Sequence, residues 1–244
     1  MTWIIHRRII PTIVTIALVP ILVSLGYWQL DRAEQKRHRL ESYLQRGRAP
    51  AQRLSPSIID AESLINYRVV VTGHYDPERQ FLLDNRVLHG QPGYHVLTPL
   101  RIVGGNTRVL VNRGWVAWGD DRRILPKVPP PDGLVRVEGR ATVPSDHYFT
   151  LERRTTVPAH WDARWQNLDL GRFVALVDFP VQPIVVELDP ISNAGGLVRE
   201  WTVPDAEWVQ RHRAYAFQWF ALALTLVVLY IVIMRKEKRI APSA

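Results

Sequence analysis

Residues 9–30 read IIPTIVTIALVPILVSLGYWQL and residues 214–234 read AYAFQWFALALTLVVLYIVIM, and neither stretch contains Asp, Glu, Lys or Arg. As an α-helix, each stretch would reach roughly 30 Å, the thickness of a bilayer hydrocarbon core. Trp28, Tyr215 and Trp219 lie near the ends of these stretches, where amphipathic aromatic side chains favour the membrane–water boundary. We therefore predict transmembrane helices at residues 9–30 and 214–234.

The first apolar stretch shares a basic start and an apolar core with cleaved signal peptides. Its apolar run is long for a signal, and Trp28 comes soon after the small residues Ser24 and Gly26, so the small-residue cleavage pattern is missing. No Arg- and Ser-rich leader of a mitochondrial presequence precedes it, unless one has been removed from this chain. We expect a retained anchor in a bacterial plasma (inner) membrane.

Two spans place both termini on one side of the membrane. Lys and Arg near the spans are equally numerous on the two sides, so the positive-inside rule gives a tie. They are Arg7, Arg8, Arg235, Lys236, Lys238 and Arg239 on the terminal side, and Arg32, Lys36, Arg37, Arg39, Arg211 and Arg213 on the other. Long translocated domains escape this rule, which gives the short termini more weight. The charges favour residues 1–8 and 235–244 in the cytoplasm and residues 31–213 outside.

Residues 31–213 carry mostly strand patterns between turn signals. Asp31–Arg48 has apolar residues at helical spacing, which predicts that the first helix continues out of the membrane, and a short helix is expected over Pro56–Leu64. An amphipathic stretch lies near Leu168–Val177. Strands are predicted at Tyr67–Tyr75, Gln80–Val87, Tyr94–Val103, Thr107–Trp118, Leu134–Val143 and Val181–Leu188. The chain is therefore expected to be an α+β membrane protein whose extramembrane domain is mostly β and closed toward a barrel or a sandwich.

The sequence lacks the patterns of common catalytic sites. It has no nucleophile elbow, no phosphate-binding glycine loop and no helical His pair flanking a glutamate, so we expect no enzyme. It also has no cysteine for a thiol nucleophile or a disulfide. The net charge of +8 is compatible with nucleic acid, but its basic cluster is juxtamembrane, which favours the phosphates of the lipid bilayer. No nucleic-acid partner is expected.

Several motif residues have structural interpretations. Gly93 after Pro92 suits a type II turn, which would bring His89 and His95 close; ordinary histidines remain favoured over a metal site there. Gly73 and Gly139 end valine-rich runs, where a bulge or a tight bend is expected. In Val111–Val116, glycine 114 permits close approach of another backbone, and the following tryptophan is expected to anchor the core.

His212 is the best placed histidine, directly before the second span. On a helix, His212, Tyr215 and Trp219 share one face, and an antiparallel first span brings Trp28 and Gln29 to the same depth. The nearby arginines are Arg32, Arg211 and Arg213. An iron-bearing macrocycle would match this set, with histidine as axial ligand, aromatic walls and arginines for acidic side groups. On spacing alone, an interfacial histidine beside an aromatic belt is favoured.

Short motifs spread along the chain favour the haem-ligand interpretation of His212 over the interfacial one. They are LGYWQLDR (25–32), GHY (73–75), LDNR (83–86), PGYHVLTPL (92–100), VNRGWV (111–116) and HRAYAFQWF (212–220). In their order and in the two-span layout they resemble the signatures of the Surfeit locus protein 1 family, whose members are cytochrome c oxidase assembly factors. The resemblance covers nearly the whole chain.

The resemblance implies a role in the maturation of haem-copper oxidases, at the step where haem enters the catalytic subunit. It implies haem A as cargo and His212 as the axial iron ligand. The residues expected to surround the macrocycle are Trp28, Tyr215, Trp219, Arg32 and Arg213. Expected partners are the catalytic subunit of cytochrome c oxidase, haem A synthase and other oxidase assembly factors. The family topology implies a periplasmic domain.

Arg213 stands where small or apolar residues are common in the family, so contacts between this residue and the haem propionates stay open. The alternative to a haem carrier is a membrane-anchored scaffold that holds oxidase subunits together without touching haem. Such a scaffold would need its spans and its domain surface, whereas a carrier would also need His212. Haem content after purification in mild detergent separates the two.

Overall fold

The structure, a computed structural model, describes residues 2–119, 121–144, 161–195, 197–203 and 206–240. Its helices are α1 (Thr2–Arg48), α2 (Ala61–Leu64), α3 (Leu170–Ala175) and α4 (Ala206–Ile240). Its strands are β1 (Gln52–Arg53), β2 (Arg68–Tyr75), β3 (Phe81–Leu88), β4 (Gln91–Ile102), β5 (Arg108–Ala117), β6 (Leu134–Thr142), β7 (Arg164–Trp165) and β8 (Val181–Leu188). The chain divides into two compact units, Met1–Ser42 with Val203–Ala244, and Tyr43–Thr202.

The first unit contains most of α1 together with α4. The Thr12 hydroxyl lies 3.1 Å from the Tyr230 hydroxyl, and the His212 ring lies 2.6 Å from the Gln29 amide near the opposite ends of the pair. Because a residue early in α1 meets one late in α4, and the reverse, the two helices are antiparallel. This pairing confirms the expected common depth of Gln29 and His212.

Both helices are long and apolar enough to cross a membrane, and only 6% of the most apolar 18-residue segment of each is buried in the protein. A core helix of a soluble domain would hide its apolar side chains, so this exposure fits a lipid environment. α1 runs without a break to Arg48, which confirms the expected helical continuation from Asp31. The predicted α+β membrane protein is confirmed.

The second unit is a closed sheet with short additions. Its hydrogen-bonded order is β1-β2-β6-β8-β5-β4-β3-β7, and β2 pairs with β4 as well. That extra pairing closes β2, β6, β8, β5 and β4 into a five-stranded ring, with β3 and β7 extending from β4 and β1 from β2. The barrel-like reading of the strand pattern is therefore confirmed. All pairs are antiparallel except β1–β2, β3–β7 and β5–β8.

The strands have two sequence patterns that suit a closed sheet. Strands with one exposed face alternate apolar and polar residues, and strands buried on both faces contain runs of apolar residues. β2 buries Val69, Val71 and Tyr75 on one face and leaves the intervening residues partly exposed. β5 is buried over most of its length, since it is central in the sheet. A fully buried valine contributes about 1.5–3 kcal/mol relative to an exposed one. A second core cluster joins Phe81 and Trp165 to Phe173 of α3.

Two local predictions differ from the structure. Within Pro56–Leu64, helix forms only from Ala61, where the Asp60 side chain caps it. Gly93 lies inside β4, and the β3–β4 turn instead uses His89 and Gly90, with φ of 49° and 79°. The sequence contains no Asn-Gly or Asp-Gly there, and these are the pairs that identify a tight hairpin turn most strongly. The position of this turn was therefore hard to predict from the sequence.

Gly73 and Gly139 do not mark bulges in the β2–β6 pair, because the register runs continuously from Arg68 to His74. Each glycine instead allows a close crossing of strands. A Cβ atom at Gly73 would collide with the Arg101 carbonyl oxygen, and one at Gly139 with the Glu187 carbonyl oxygen. The glycines therefore serve the closure of the ring.

Candidate functional site

The candidate site lies where the C-terminal end of α1's apolar stretch meets the beginning of α4. Gln29 is the next-to-last residue of that stretch, and His212 lies in the second turn of α4, which begins at Ala206. His212 Nδ1 and Gln29 Oε1 are 2.6 Å apart, and both side chains are partly shielded from solvent. The hydrogen bond therefore joins the two helices of the first unit.

This hydrogen bond determines the proton position on the imidazole. The amide oxygen of Gln29 can only accept, so His212 Nδ1–H donates to it. In the neutral ring the proton is then on Nδ1, and Nε2 keeps its lone pair. A histidine that ligates a metal is commonly held in this way, because a partner on the second nitrogen fixes both tautomer and orientation. The arrangement can hold one metal-coordinating nitrogen in place.

Tight helix packing next to the hydrogen bond supports this orientation. Gly26 of α1 faces Phe220 of α4, and a Cβ atom at Gly26 would lie 2.6 Å from the phenyl ring. The Tyr27 ring meets the same phenyl group edge-on, with centroids 5.4 Å apart. The LGYWQLDR motif thus combines a small residue for close approach with the amide that holds His212.

Trp208 was not among the residues predicted for this site. Its ring lies 6.1 Å from the His212 ring, centroid to centroid, at an interplanar angle of 35°. The guanidinium of Arg211 lies over Trp208 at 5.3 Å and forms an ion pair with Glu207 at 3.0 Å. The i, i+4 spacing of Trp208 and His212 could have predicted this contact, because residues four apart lie on the same face of a helix.

The structure places the other predicted site residues at the same end of the helix pair. Arg32 stacks on Trp28 at 5.6 Å, so these two form a unit on α1. Trp28 and Tyr215 are each 49% exposed, which leaves apolar ring surface free. Trp219 is half-buried and Arg213 is exposed. The structure thus joins Gln29 to His212 and Trp28 to Arg32, and the roles of these side chains toward a cargo stay predictions.

His89 and His95 have separate partners in the structure. His89 Nε2 lies 2.8 Å from a carboxylate oxygen of Glu200 at the exposed turn. His95 is on β4, where the Asn112 amide donates to its Nδ1 at 3.3 Å. Among the residues that the structure describes, no group of three or more His, Cys, Asp or Glu side chains is arranged to hold a metal ion.

The fold and the site define a membrane protein with two antiparallel apolar helices, an inter-helix Gln–His pair and a closed β-barrel domain. The SURF1 family profile matches residues 16–224, and the chain belongs to the SURF1 family. A SURF1-like protein of Rickettsia felis is 30% identical over 233 residues, which cover 91% of this chain and 96% of that protein. One of Rickettsia bellii is 30% identical over 224 residues, 88% of this chain and 87% of its own.

The similarity extends to animals. Surfeit locus protein 1 of Xenopus tropicalis is 23% identical over 232 residues, which cover 87% of this chain and 72% of that protein. The matched family region includes Gln29 and His212, so the candidate site lies within the part of the chain that the family shares. The resemblance of the motifs to this family is confirmed.

Proposed function

We propose that this chain is an assembly factor for haem-copper cytochrome c oxidase that binds haem A and assists its insertion into the catalytic subunit. Membership of the SURF1 family supports the oxidase-assembly part of the proposal. One observation supports the haem part: His212 Nδ1 is engaged by Gln29 at 2.6 Å, which leaves Nε2 free as a ligand.

Neutral imidazole is a common axial ligand of haem iron. The hydrogen bond to Gln29 makes the ring a better electron donor and prevents it from rotating, so the iron-binding nitrogen is held ready. A protein that delivers haem must also release it. With one protein ligand, release breaks a single bond to the metal.

Aromatic side chains near His212 would cover the apolar faces of the macrocycle where lipid meets water. They are Trp28, Tyr215 and Trp219, and the structure adds Trp208 beside the imidazole. Arg32 and Arg213 would meet the propionates, which as anions prefer a guanidinium partner. The stacking of Arg32 on Trp28 at 5.6 Å supports this role.

The expected partners are the catalytic subunit of cytochrome c oxidase, haem A synthase and other oxidase assembly factors, all within a lipid bilayer. The proposed location is the bacterial inner membrane with both termini in the cytoplasm and the β domain in the periplasm. The chain is proposed to act as a carrier and not as an enzyme.

The test is to co-express the chain with a haem A pathway and to purify it in mild detergent. Wild type should show a haem Soret band, whereas His212→Ala should show reduced haem content and a shifted band at a normal protein level. The reason is that alanine removes the ligand and leaves an uncharged helix residue, so insertion survives. His38→Ala, which changes an exposed histidine of α1, is the matched control and should retain wild-type haem.

Equal haem occupancy and identical spectra in wild type and His212→Ala would exclude His212 as the ligand. A colourless wild-type protein that still copurifies with oxidase subunits would favour the scaffold, in which the spans and domain surface organise subunits without haem. Oxidase activity in cells is a weaker measure, because any haem that entered the catalytic subunit without this chain would mask the loss.

A further inference from the structure

The β domain contains a second concave site that has no part in the proposed haem transfer. It is a cleft of about 340 Å³ between the end of the β3–β4 hairpin and the segment that follows β8. The side chains important here are Arg86, His95, Trp115, Glu187, Glu200 and Trp201. The volume is near the lower end of the range for small-molecule sites, about 300–1,000 Å³.

Arg86 reaches this cleft because β3 is irregular directly before it. The pairing of β3 with β4 shifts register between Leu83 and Arg86. Asn85 adopts a left-handed φ of 63°, and its backbone N–H donates to Asp84 Oδ1 at 2.7 Å. Arg122 in turn binds the Asp84 carboxylate at 3.0 Å. Bulges of this kind redirect a side chain out of the regular alternation.

The Arg86 side chain has a charge without a matching anion. Its Nε is buried and lacks a hydrogen-bond partner, and across the described part of the chain its guanidinium forms neither a hydrogen bond nor an ion pair. Burial lowers the pKa of this group, which shows the cost of keeping the cation there. A buried polar group left unpaired is destabilising, and more so when it is charged. An anionic ligand would remove that cost.

The carboxylates that line the cleft are otherwise engaged. Glu200 at the rim pairs with His89 at 2.8 Å. Burial raises the pKa of the Glu187 carboxyl, and Arg140 is the cation that opposes the rise. The cation that acts on Glu187 is thus Arg140 and not Arg86.

The remaining walls are neutral and aromatic. Burial, together with the positive charge of Arg86, lowers the pKa of His95 to about 4, so this ring is uncharged at neutral pH. Its face is bounded by Trp201, whose ring lies 5.6 Å away, edge to face. The indole N–H groups of Trp115 and Trp201 donate to the Arg86 and Leu188 carbonyls, which holds both rings in place. The walls suit an apolar stem attached to the anionic group.

We propose that this cleft is a binding site for a small apolar carboxylic acid in its ionised form. The carboxylate would form a charge-assisted pair with the guanidinium of Arg86, and the apolar stem would lie against Trp115 and Trp201. A guanidinium and a carboxylate match in planar, two-point geometry, which favours this anion over a spherical one. The site belongs to the second unit and is independent of His212.

The experiment is isothermal titration calorimetry on the full chain in detergent. The probes are benzoate, indole-3-acetate and hexanoate, each compared with its uncharged amide. At least one acid should bind, and its amide should bind at least tenfold more weakly, because hydrogen bonds to charged groups are stronger than those between neutral groups. This comparison on the wild type needs no variant.

Arg86→Gln should weaken binding of the same acid at least tenfold, and Arg86→Lys should weaken it less because the charge remains. Arg101→Gln, which removes an exposed arginine of β4, is the matched control and should bind as the wild type does. His212→Ala should also bind normally, so failure here and failure of the haem proposal are distinguishable. The proposal is overturned if no acid binds, if acid and amide bind equally, or if Arg86→Gln binds unchanged.

Discussion

Two histidines of this chain are held in opposite tautomers by one amide side chain each. At His212, the Gln29 oxygen accepts from Nδ1–H, so Nε2 is the free nitrogen. At His95, the Asn112 amide donates to Nδ1, so in the neutral ring the proton is on Nε2. The residue type is the same, and the neighbouring amide decides which nitrogen is available for chemistry.

Because His95 is buried and neutral, we predict that the β domain loses stability at acid pH. Its pKa is about 4 in the folded chain and about 6.5 in an unfolded one. As the pH falls from about 6.5 to about 4, the unfolded state takes up a proton that the folded state does not, so stability is lost over this interval. The expected loss is on the order of 3 kcal/mol, measured as thermal unfolding of the β domain by circular dichroism.

Glu187 also lines the cleft, and its effect on stability changes with pH in the opposite direction. Comparison of wild type with His95→Gln isolates the contribution of His95, because Glu187 is present in both proteins. The carboxyl with a raised pKa contributes stability that is lost as pH rises, and this contribution is common to both proteins. Relative to His95→Gln, wild type should therefore become less stable as the pH falls. His74→Gln on β2 should keep the wild-type slope. Parallel losses in wild type and His95→Gln would contradict the prediction.

At the scale of elements, α1 and α4 have different character along their lengths. α1 is apolar from Ile9 to Leu30 and then highly charged to Arg48, whereas α4 passes from Glu207 and Arg211 into its apolar stretch. The apolar stretches lie side by side because the helices are antiparallel. The charged segments of both helices therefore lie beyond the apolar stretches. They reach water when the two helices cross the bilayer side by side.

This arrangement predicts that both termini lie on one side of the membrane, and the weight given to the short basic termini favours the cytoplasm as that side. A reporter that fluoresces only in the cytoplasm, fused after Ala244, should be bright because two crossings return the chain to its starting side. The same reporter fused to a chain truncated after Arg48 has one crossing and should be dark. A dark fusion after Ala244, combined with activity of a periplasmic reporter at that position, would reverse the assigned orientation.

At the scale of the whole molecule, the two units have separate sources of stability. The buried core clusters of the described residues draw all their members from between Leu54 and Leu197. The ring of five strands closes through the pairing of β2 with β4 and therefore needs no further strand to complete it. In the first unit, the apolar side chains are mostly exposed and depend on lipid.

Residues 31–211 expressed alone should therefore fold as a soluble domain with a β-rich circular dichroism spectrum. They should carry no haem, because His212 and the α4 aromatics beyond it are missing. Spectra dominated by helix would contradict the fold, and stoichiometric haem on this fragment would contradict the assignment of the site to the helix pair. The full chain, co-expressed with the same haem A pathway, is the control.

Local composition and periodicity were sufficient to predict the two spans and most of the strands. An uncharged run of this length has one stable environment, and alternating valines have one face to bury, so the spans and most strands followed from the sequence. The helical spacing of His212 and the depth of Gln29 brought the two residues together, but spacing alone favoured an ordinary interfacial histidine. The resemblance of the motifs to a known family then specified its proposed ligand.

Only the tertiary structure decided how these elements meet. The closure of β2 on β4 depends on the approach of Gly73 to Arg101, which no local pattern encodes. The cleft at Arg86 likewise requires a register shift in β3 and a wall from Trp201, more than a hundred residues later in the chain. Contacts of this kind depend on the free energy of packing the whole domain, whereas spans and strands depend on the side chains within one segment.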